Sequence, residues 1–416
     1  MRVAVIGAGI SGLSIAHHLK EKYEVKIFER DSRPGGLVKC KKVGGALYHM
    51  VGGHVFNSKR QDVLNWFWQF FDRDVEFTKL LRNAIISMDN GSLMEYPIEN
   101  NIYMLDTNIQ KKIIQEWLTI NQKSNVQVQN FEEFLKNRFG ETLYHEYFRP
   151  YNEKIWRCDL KHVPLSWLSG KLPMPSVEEM LLNNLNHLQE SSMVHSSFYY
   201  AKENGSQFLA DRLSRDLDIV YNTEVCVIEK QNGKWCVNGY ECDYLLFCGN
   251  IKDLPSFLKD KVDISSYINL INDLEYHGTT SVFCEIERNP YSWIYLPSSY
   301  YLAHRIICTG NFSSKNNVDG KTTGTVEFTD FISKEDIEEN LVKMPFSPRY
   351  LDHTYTQYTY PVQNTETRKM VDSLKKTLSN NGIFLLGRFA EWEYYNMDAA
   401  IGAAIDLGKI LMRKSL

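Results

Sequence analysis

The chain has 416 residues, 43% of them hydrophobic and 13% aromatic, and a formal net charge of -4. That length suggests two packed units, and the apolar share is that of a globular protein. The charge carries no long basic run for duplex nucleic acid, and no stretch approaches the roughly 20 apolar residues of a spanning helix, so nucleic acid and a transmembrane segment are both excluded as expectations.

The eight cysteines (Cys40, Cys158, Cys226, Cys236, Cys242, Cys248, Cys284 and Cys308) are scattered and form no C-x-x-C pair. This argues against a zinc knuckle or a disulfide scaffold and fits a reduced compartment. The opening "MRVAVIGAGISG" reads as strand and turn, not as a signal segment, so a cytoplasmic protein is expected.

In chain order, "RVAVIG" is a buried parallel strand, "SGLSIAHHLKEK" has helical spacing and "EVKIFER" is a second strand, which together make a βαβ unit. Between them Gly7, Gly9 and Gly12 permit a tight turn and close approach of a pyrophosphate. Glu29, 17 residues after Gly12, can accept ribose hydroxyls. Further on, "YHMVGGHVFNS" sets His54 behind a pair of glycines, Gly52 and Gly53.

After residue 75 the period becomes helical. "FEEFLKNRFGETLYHEYFRPYNEKIW" and "SVEEMLLNNLNHLQ" predict a helical insertion. Residues 218 to 249 alternate like short strands around an "NG" hairpin turn and end in an apolar strand. Four strand-like runs follow between 276 and 330, "TTSVFCEIE", "SWIYLP", "HRIICTG" and "GTVEFTD", which predict an antiparallel sheet of their own. "GIFLLGRFA" supplies a last buried strand and "MDAAIGAAIDLGKILMRK" a final helix. The expected fold class is α/β: a Rossmann-like domain from residues 1–75, 200–260 and 375–416, a helical insertion over 76–199, and an antiparallel substrate sheet over 261–374.

Several segments resemble a known family. "ERDSRPGG", with Gly35 and Gly36, resembles the extended acidic-then-glycine signature of FAD enzymes of the amine-oxidase and protoporphyrinogen-oxidase type. "FLLGRFAEWEYYNMDAAIGAAI" resembles the strand, Gly-Arg and helix that lie beside the flavin in that group. Within it the chain is similar to the UDP-galactopyranose mutases, end to end and in order. "HMVGGHVFNS" is similar to their glycine-and-histidine loop, "MEYPIENN" to their "YPIN", "PYNEKIW" to "YTEKQW", "YTYPVQN" to "YYPVND" and "GRFAEWEYYNM" to "GRLAEYRYYDM".

The resemblance implies FAD held by Gly7, Gly9, Ser11, Gly12, Glu29, Arg30, Gly35, Gly36, Leu37, Gly53, His54, Val225, Gly387, Arg388, Met397 and Ala400. It implies a mutase that interconverts pyranose and furanose forms of a nucleotide sugar, with N5 of reduced FAD as the nucleophile at the anomeric carbon. An external reductant such as NAD(P)H is implied too, and a homodimer is compatible with it.

Such a reaction needs a diphosphate clamp more than a conventional acid–base pair. The resemblance makes His54 and Arg305 the candidate catalytic residues, and Tyr360, Arg388 and Tyr394 the diphosphate ligands. Tyr151 and Trp156 are carried over as a platform for the base. Each has a bland alternative, since an arginine near a sheet can simply pair with a carboxylate and a buried tyrosine is usually packing.

Two departures bear on the substrate. Pro175 in "GKLPMPS" and His277 in "LEYHGTT" stand where the family shows diphosphate-binding arginines. Each lost charge-assisted contact is worth about 1.5 to 3 kcal/mol. The sugar and the base therefore stay open. "PGGLVKC" and "FYYAKENGSQFLADRL" are also similar to the protoporphyrinogen-oxidase side, which keeps an FAD oxidase or desaturase as the alternative function.

Overall fold

The computed structural model describes residues 1–122, 127–163, 165, 175–188, 194–258, 261–318 and 320–413, apart from the side chain of Thr365. A five-stranded parallel sheet runs in the order Ile383–Leu385, Tyr244–Phe247, Arg2–Ile6, Glu24–Phe28, Asp218–Val220. From Val3 to Ile6 its central strand is apolar because both its faces are covered. Val3 and Val5 pack with the helices Ile10–Leu19 and Met397–Arg413, whereas Ala4 faces a second core containing Leu374, Leu378 and Trp235.

Beside it lies a three-stranded sheet of Ile228–Gln231, Lys234–Val237 and Tyr240–Cys242. Two asparagine–glycine turns join these strands, with φ of 50° and 81° at Asn232 and Gly233 and of 46° and 85° at Asn238 and Gly239. Those left-handed pairs match the twist of a two-residue hairpin. The sequence reading anticipated one such turn, and there are two.

The antiparallel sheet is larger than its four expected strands. Seven strands run in the order Arg349–Pro361, Tyr276–Ile286, Thr322–Thr329, Arg305–Ile307, Trp293–Tyr295, Ala84–Ser87, Leu93–Glu95. The helical insertion expected over 76–199 therefore needs correction, since Ala84–Ser87 and Leu93–Glu95 extend this sheet, the former parallel to Trp293–Tyr295. Phe77–Leu81 also pairs with Ser197–Ala201. The reason is physical: "AIIS" is one short apolar run, buried on both faces, and such a run carries no period that separates strand from helix.

Helices lie between these strands, at Thr107–Asn121, Phe131–Phe139, Arg149–Trp156 and Val177–Asn186, around a core of Trp117, Phe131, Leu135 and Met180. A second shift falls near 375. Thr365–Ser379 already packs on the parallel sheet beside Ile383–Leu385, because Val371, Leu374 and Leu378 share one face of that helix. Among the described residues no helix is long and apolar enough to cross a membrane.

Lys154 ties the insertion to the antiparallel sheet. Its Nζ donates to the carbonyls of Leu296 (2.7 Å), Ala303 (3.1 Å) and Ser298. Burial pushes the Lys154 pKa down to about 7, and replacing Lys154 by Met keeps the aliphatic stem and leaves these buried acceptors without their donor. Equilibrium unfolding should show a loss of roughly 1.5 to 3 kcal/mol, whereas an unchanged midpoint would make the tie dispensable.

Candidate active site

The glycine turn is held from below. Glu29, buried at the end of the second strand, accepts the backbone N–H of Ala8 (2.7 Å) and of Asp31 (3.0 Å). A Cβ on Gly12 would fall 2.0 Å from the Gly7 carbonyl oxygen, so only glycine lets the helix start this close to the turn. Gly35 N–H donates to the Ala8 carbonyl at 2.9 Å, and Gly36 lies against Gly9, so the second glycine pair closes over the first. Leu37 follows in a short 3-10 turn.

Ser11 faces Gly387 from the far end of the chain, and Met397 and Ala400 are buried at the start of the final helix. Thr223 N–H bonds the Glu29 carbonyl (2.9 Å), which brings buried Val225 toward the same edge, where Arg30 is exposed. The structure thus gathers these residues at one end of the parallel sheet from segments far apart in sequence. There the helix Ile10–Leu19 turns its N-terminus toward the glycines, an arrangement suited to a pyrophosphate.

Opposite stands a charged cluster that the motifs did not reveal. Glu327 is fully buried on Thr322–Thr329 and accepts from Arg305 Nε and from the Gly52 N–H (2.7 Å), with His304 at 3.7 Å. Burial alone would push its carboxyl up, but the Arg305 charge and His304 outweigh it and hold the group well below the usual carboxylate range. Arg305 Nη2 then donates to Tyr360 Oη at 3.2 Å. That contact leaves the phenol O–H free to donate elsewhere, and burial keeps it protonated by pushing its pKa up. The signal for Glu327 was a lone acid in "TTGTVEFT", sharing a face with Thr323, Thr325 and Thr329 while Val326 and Phe328 enter the core.

His54 sits where this cluster meets the glycine turn. Its backbone N–H donates to Nδ1 of His49 (3.2 Å), a fully buried ring whose Nε2 lies 2.7 Å from Tyr200 Oη. A Cβ on Gly53 would fall 2.7 Å from Ile307 Cγ2, so the loop must pass flat against the sheet. Burial and then the Arg388 charge push the His54 pKa down to about 4, with Glu327 and the Leu37 backbone opposing, so the ring is neutral at pH 7. Its Nε2 is buried without a hydrogen-bond partner.

Arg388 is short of partners as well. Nη1 donates to the Tyr395 carbonyl at 3.2 Å, but Nε and Nη2 are buried and unbonded. The guanidinium stands 4.2 Å from the Tyr394 ring centre and 5.4 Å from that of Tyr360, two rings nearly parallel at 5.7 Å. Tyr151 stacks on Tyr147 and meets Tyr295 edge-on, while Trp156, at the end of the same helix, packs on the insertion core. His277 pairs across strands with Tyr360, and Pro175 lies just before the capped start of Val177–Asn186.

A Rossmann-type dinucleotide fold whose glycine turn faces a sheet of cations and phenols is the class these elements define. Comparison with known proteins agrees. A family described as an NAD(P)-binding Rossmann-like domain matches residues 5–73. The resemblance to UDP-galactopyranose mutases extends along the chain: it is 21% identical over 428 residues to "UDP-galactopyranose mutase" of Mycoplasma genitalium, covering 99% of this chain and 94% of that one. It is 30% identical over 184 residues to "dTDP-fucopyranose mutase" of Escherichia coli, covering 42% of this chain and 46% of that relative. Its fold matches a crystal structure of reduced UDP-galactopyranose mutase with a TM-score of 0.88 at 19% identity, over 99% of this chain and 94% of that one.

The Glu327–Arg305 pair yields a pH-dependent prediction. Glu327→Gln leaves Arg305 without its buried counter-charge and should cost roughly 3 kcal/mol at pH 7. The folded carboxyl titrates below its unfolded value of about 4.3, so the wild-type advantage is complete above roughly pH 5 and drains as the pH falls further. Urea unfolding of both proteins from pH 8 to 3 checks this. A difference that grows on acidification would contradict the pairing.

Proposed function

We propose that this protein is a flavin-dependent mutase that interconverts the pyranose and furanose forms of a nucleotide sugar. The observation that carries the reading is Arg388, whose two unbonded buried nitrogens face the Tyr360–Tyr394 pair next to the glycine turn. Buried guanidinium donors left open in a protein are donors awaiting an acceptor, and an anion satisfies them best.

The residues present fit FAD. The crowded turn of Gly7, Gly9 and Gly12, the Gly35–Gly36 pair closing over it, and Ser11 against Gly387 leave backbone, not side chains, where a pyrophosphate would lie. Reduced FAD, when bound, would supply the nucleophile for the anomeric carbon, its electrons coming from an external donor such as NAD(P)H.

The chain's own residues do the rest. Arg305, held in place by Glu327, and the Tyr360 hydroxyl offer a cation and a donor to the leaving diphosphate, and Arg388 and Tyr394 close it from the other side. Tyr151 and Trp156 lie toward the base. His54 enters as a neutral imidazole with an open Nε2, able to hold or pass the ring-opening proton without adding charge.

The reading is tested by anaerobic titration of dithionite-reduced, FAD-loaded protein with UDP and dTDP sugars, followed by flavin absorbance. At least one sugar should perturb the spectrum saturably. Silence from all of them, together with oxygen consumption on an amine substrate, would move the protein to the oxidase class. His54→Ala should retain FAD yet slow turnover at least roughly tenfold, about 1.4 kcal/mol; an unchanged rate would return the loop to a packing role.

A further inference from the structure

The two arginine positions filled by Pro175 and His277 leave the diphosphate short of cations, and His277 does not restore the count. Its Nδ1 lies 3.0 Å from Asp330 Oδ2, while Asp330 Oδ1 accepts the Gly278 N–H at 2.9 Å and the Asp330 carbonyl accepts Thr280 Oγ1 at 2.8 Å. The imidazole is thus held by a carboxylate fixed to its own strand, and any positive charge there is paired.

A different cation reaches this wall from the insertion. Arg157 directly follows Trp156 and ends the helix Arg149–Trp156, its N–H bonded to the Glu153 carbonyl at 2.9 Å. It does so in the left-handed region, at φ 51° and ψ 25°, a conformation that favours glycine and strains a long side chain. The bend carries its side chain onto the antiparallel sheet, where Nη2 donates to the Thr329 carbonyl at 3.0 Å.

Thr329 lies two residues beyond Glu327 on the same strand, about 7 Å away, and Glu327 is the partner of Arg305. Arg157 is also within electrostatic reach of Asp330. Arg157 is exposed, and among the described residues that single hydrogen bond is what the guanidinium makes, so its other donors face solvent, where an anion can reach them. A left-handed residue is an ordinary helix ending, and His187 ends Val177–Asn186 in the same way; what sets Arg157 apart is that its guanidinium reaches the wall that lacks its cations.

We propose that Arg157 is a phosphate-binding cation of the nucleotide-sugar site and a determinant of its preference for diphosphates over nucleosides. This rests on the mutase reading above. Arg305 lies toward one end of the diphosphate and Arg157 toward the other, next to the base platform, so the clamp is rebuilt from the insertion instead of from the positions now held by Pro175 and His277.

The substitution Arg157→Gly separates the two possible roles, because glycine relieves the left-handed backbone while removing the guanidinium. UDP binding to the full chain is measured by calorimetry and uridine binding by ligand-observed NMR, with thermal unfolding recorded in parallel. The expected result is UDP affinity at least tenfold weaker, uridine affinity unchanged, and an unfolding midpoint equal to or above that of the wild type. UDP affinity within twofold of the wild type overturns the assignment, as does an equal loss for uridine, which would mean that Arg157 merely shapes the platform. A wild-type protein that binds neither UDP nor dTDP would bring down the mutase reading, and this inference with it, whereas normal wild-type binding confines any failure to Arg157.

Discussion

The whole site is organised around one buried carboxylate. Glu327 has no exposed surface, and an ion that deep persists only when it is paired and its lone pairs are used. Arg305 supplies the charge, the Gly52 amide a hydrogen bond and His304 a further contact. Arg305 lies on the antiparallel sheet, His304 just before the same strand, and Gly52 in the loop that leaves the dinucleotide unit. The carboxylate therefore satisfies its own burial only when the two parts of the molecule are correctly joined.

That constraint reaches the rest of the candidate site. Fixing Arg305 at its Nε leaves Nη2 to bond Tyr360, whose ring stacks with Tyr394 beneath the Arg388 guanidinium. Anchoring Gly52 sets the path of the next two residues, so Gly53 lies against Ile307 and His54 turns toward Leu37 and Arg388. His49 reinforces the same turn from behind through the His54 amide. The cost is electrostatic: two cations, Arg305 and Arg388, and a neutral His54 are crowded with a single acid.

Local features were legible in the sequence, and cooperative ones were not. The glycine fingerprint, Glu29 and the final helix could be read directly because each depends on residues close in sequence and on steric rules that admit few alternatives. Glu327 escaped because one acid among threonines has no meaning until Arg305 and Gly52 are brought to it. Its place on the polar face of an otherwise buried strand was the signal available. Ala84–Ser87 and Leu93–Glu95 escaped because short apolar strands have no distinguishing period. Arg157 escaped because nothing in "KIWRCDL" says that the backbone there turns left-handed.

On the proposed reading, the cluster of Arg305, Tyr360, Arg388 and His54 serves pyranose–furanose exchange on a nucleotide sugar. That reading is tested most directly by incubating dithionite-reduced, FAD-loaded protein with UDP-galactopyranose and dTDP-fucopyranose without oxygen and separating the products by chromatography. A furanose product is expected from at least one of them, at a constant equilibrium ratio and with no net consumption of reductant. Recovery of both sugars unchanged by a protein that demonstrably holds reduced FAD would contradict it.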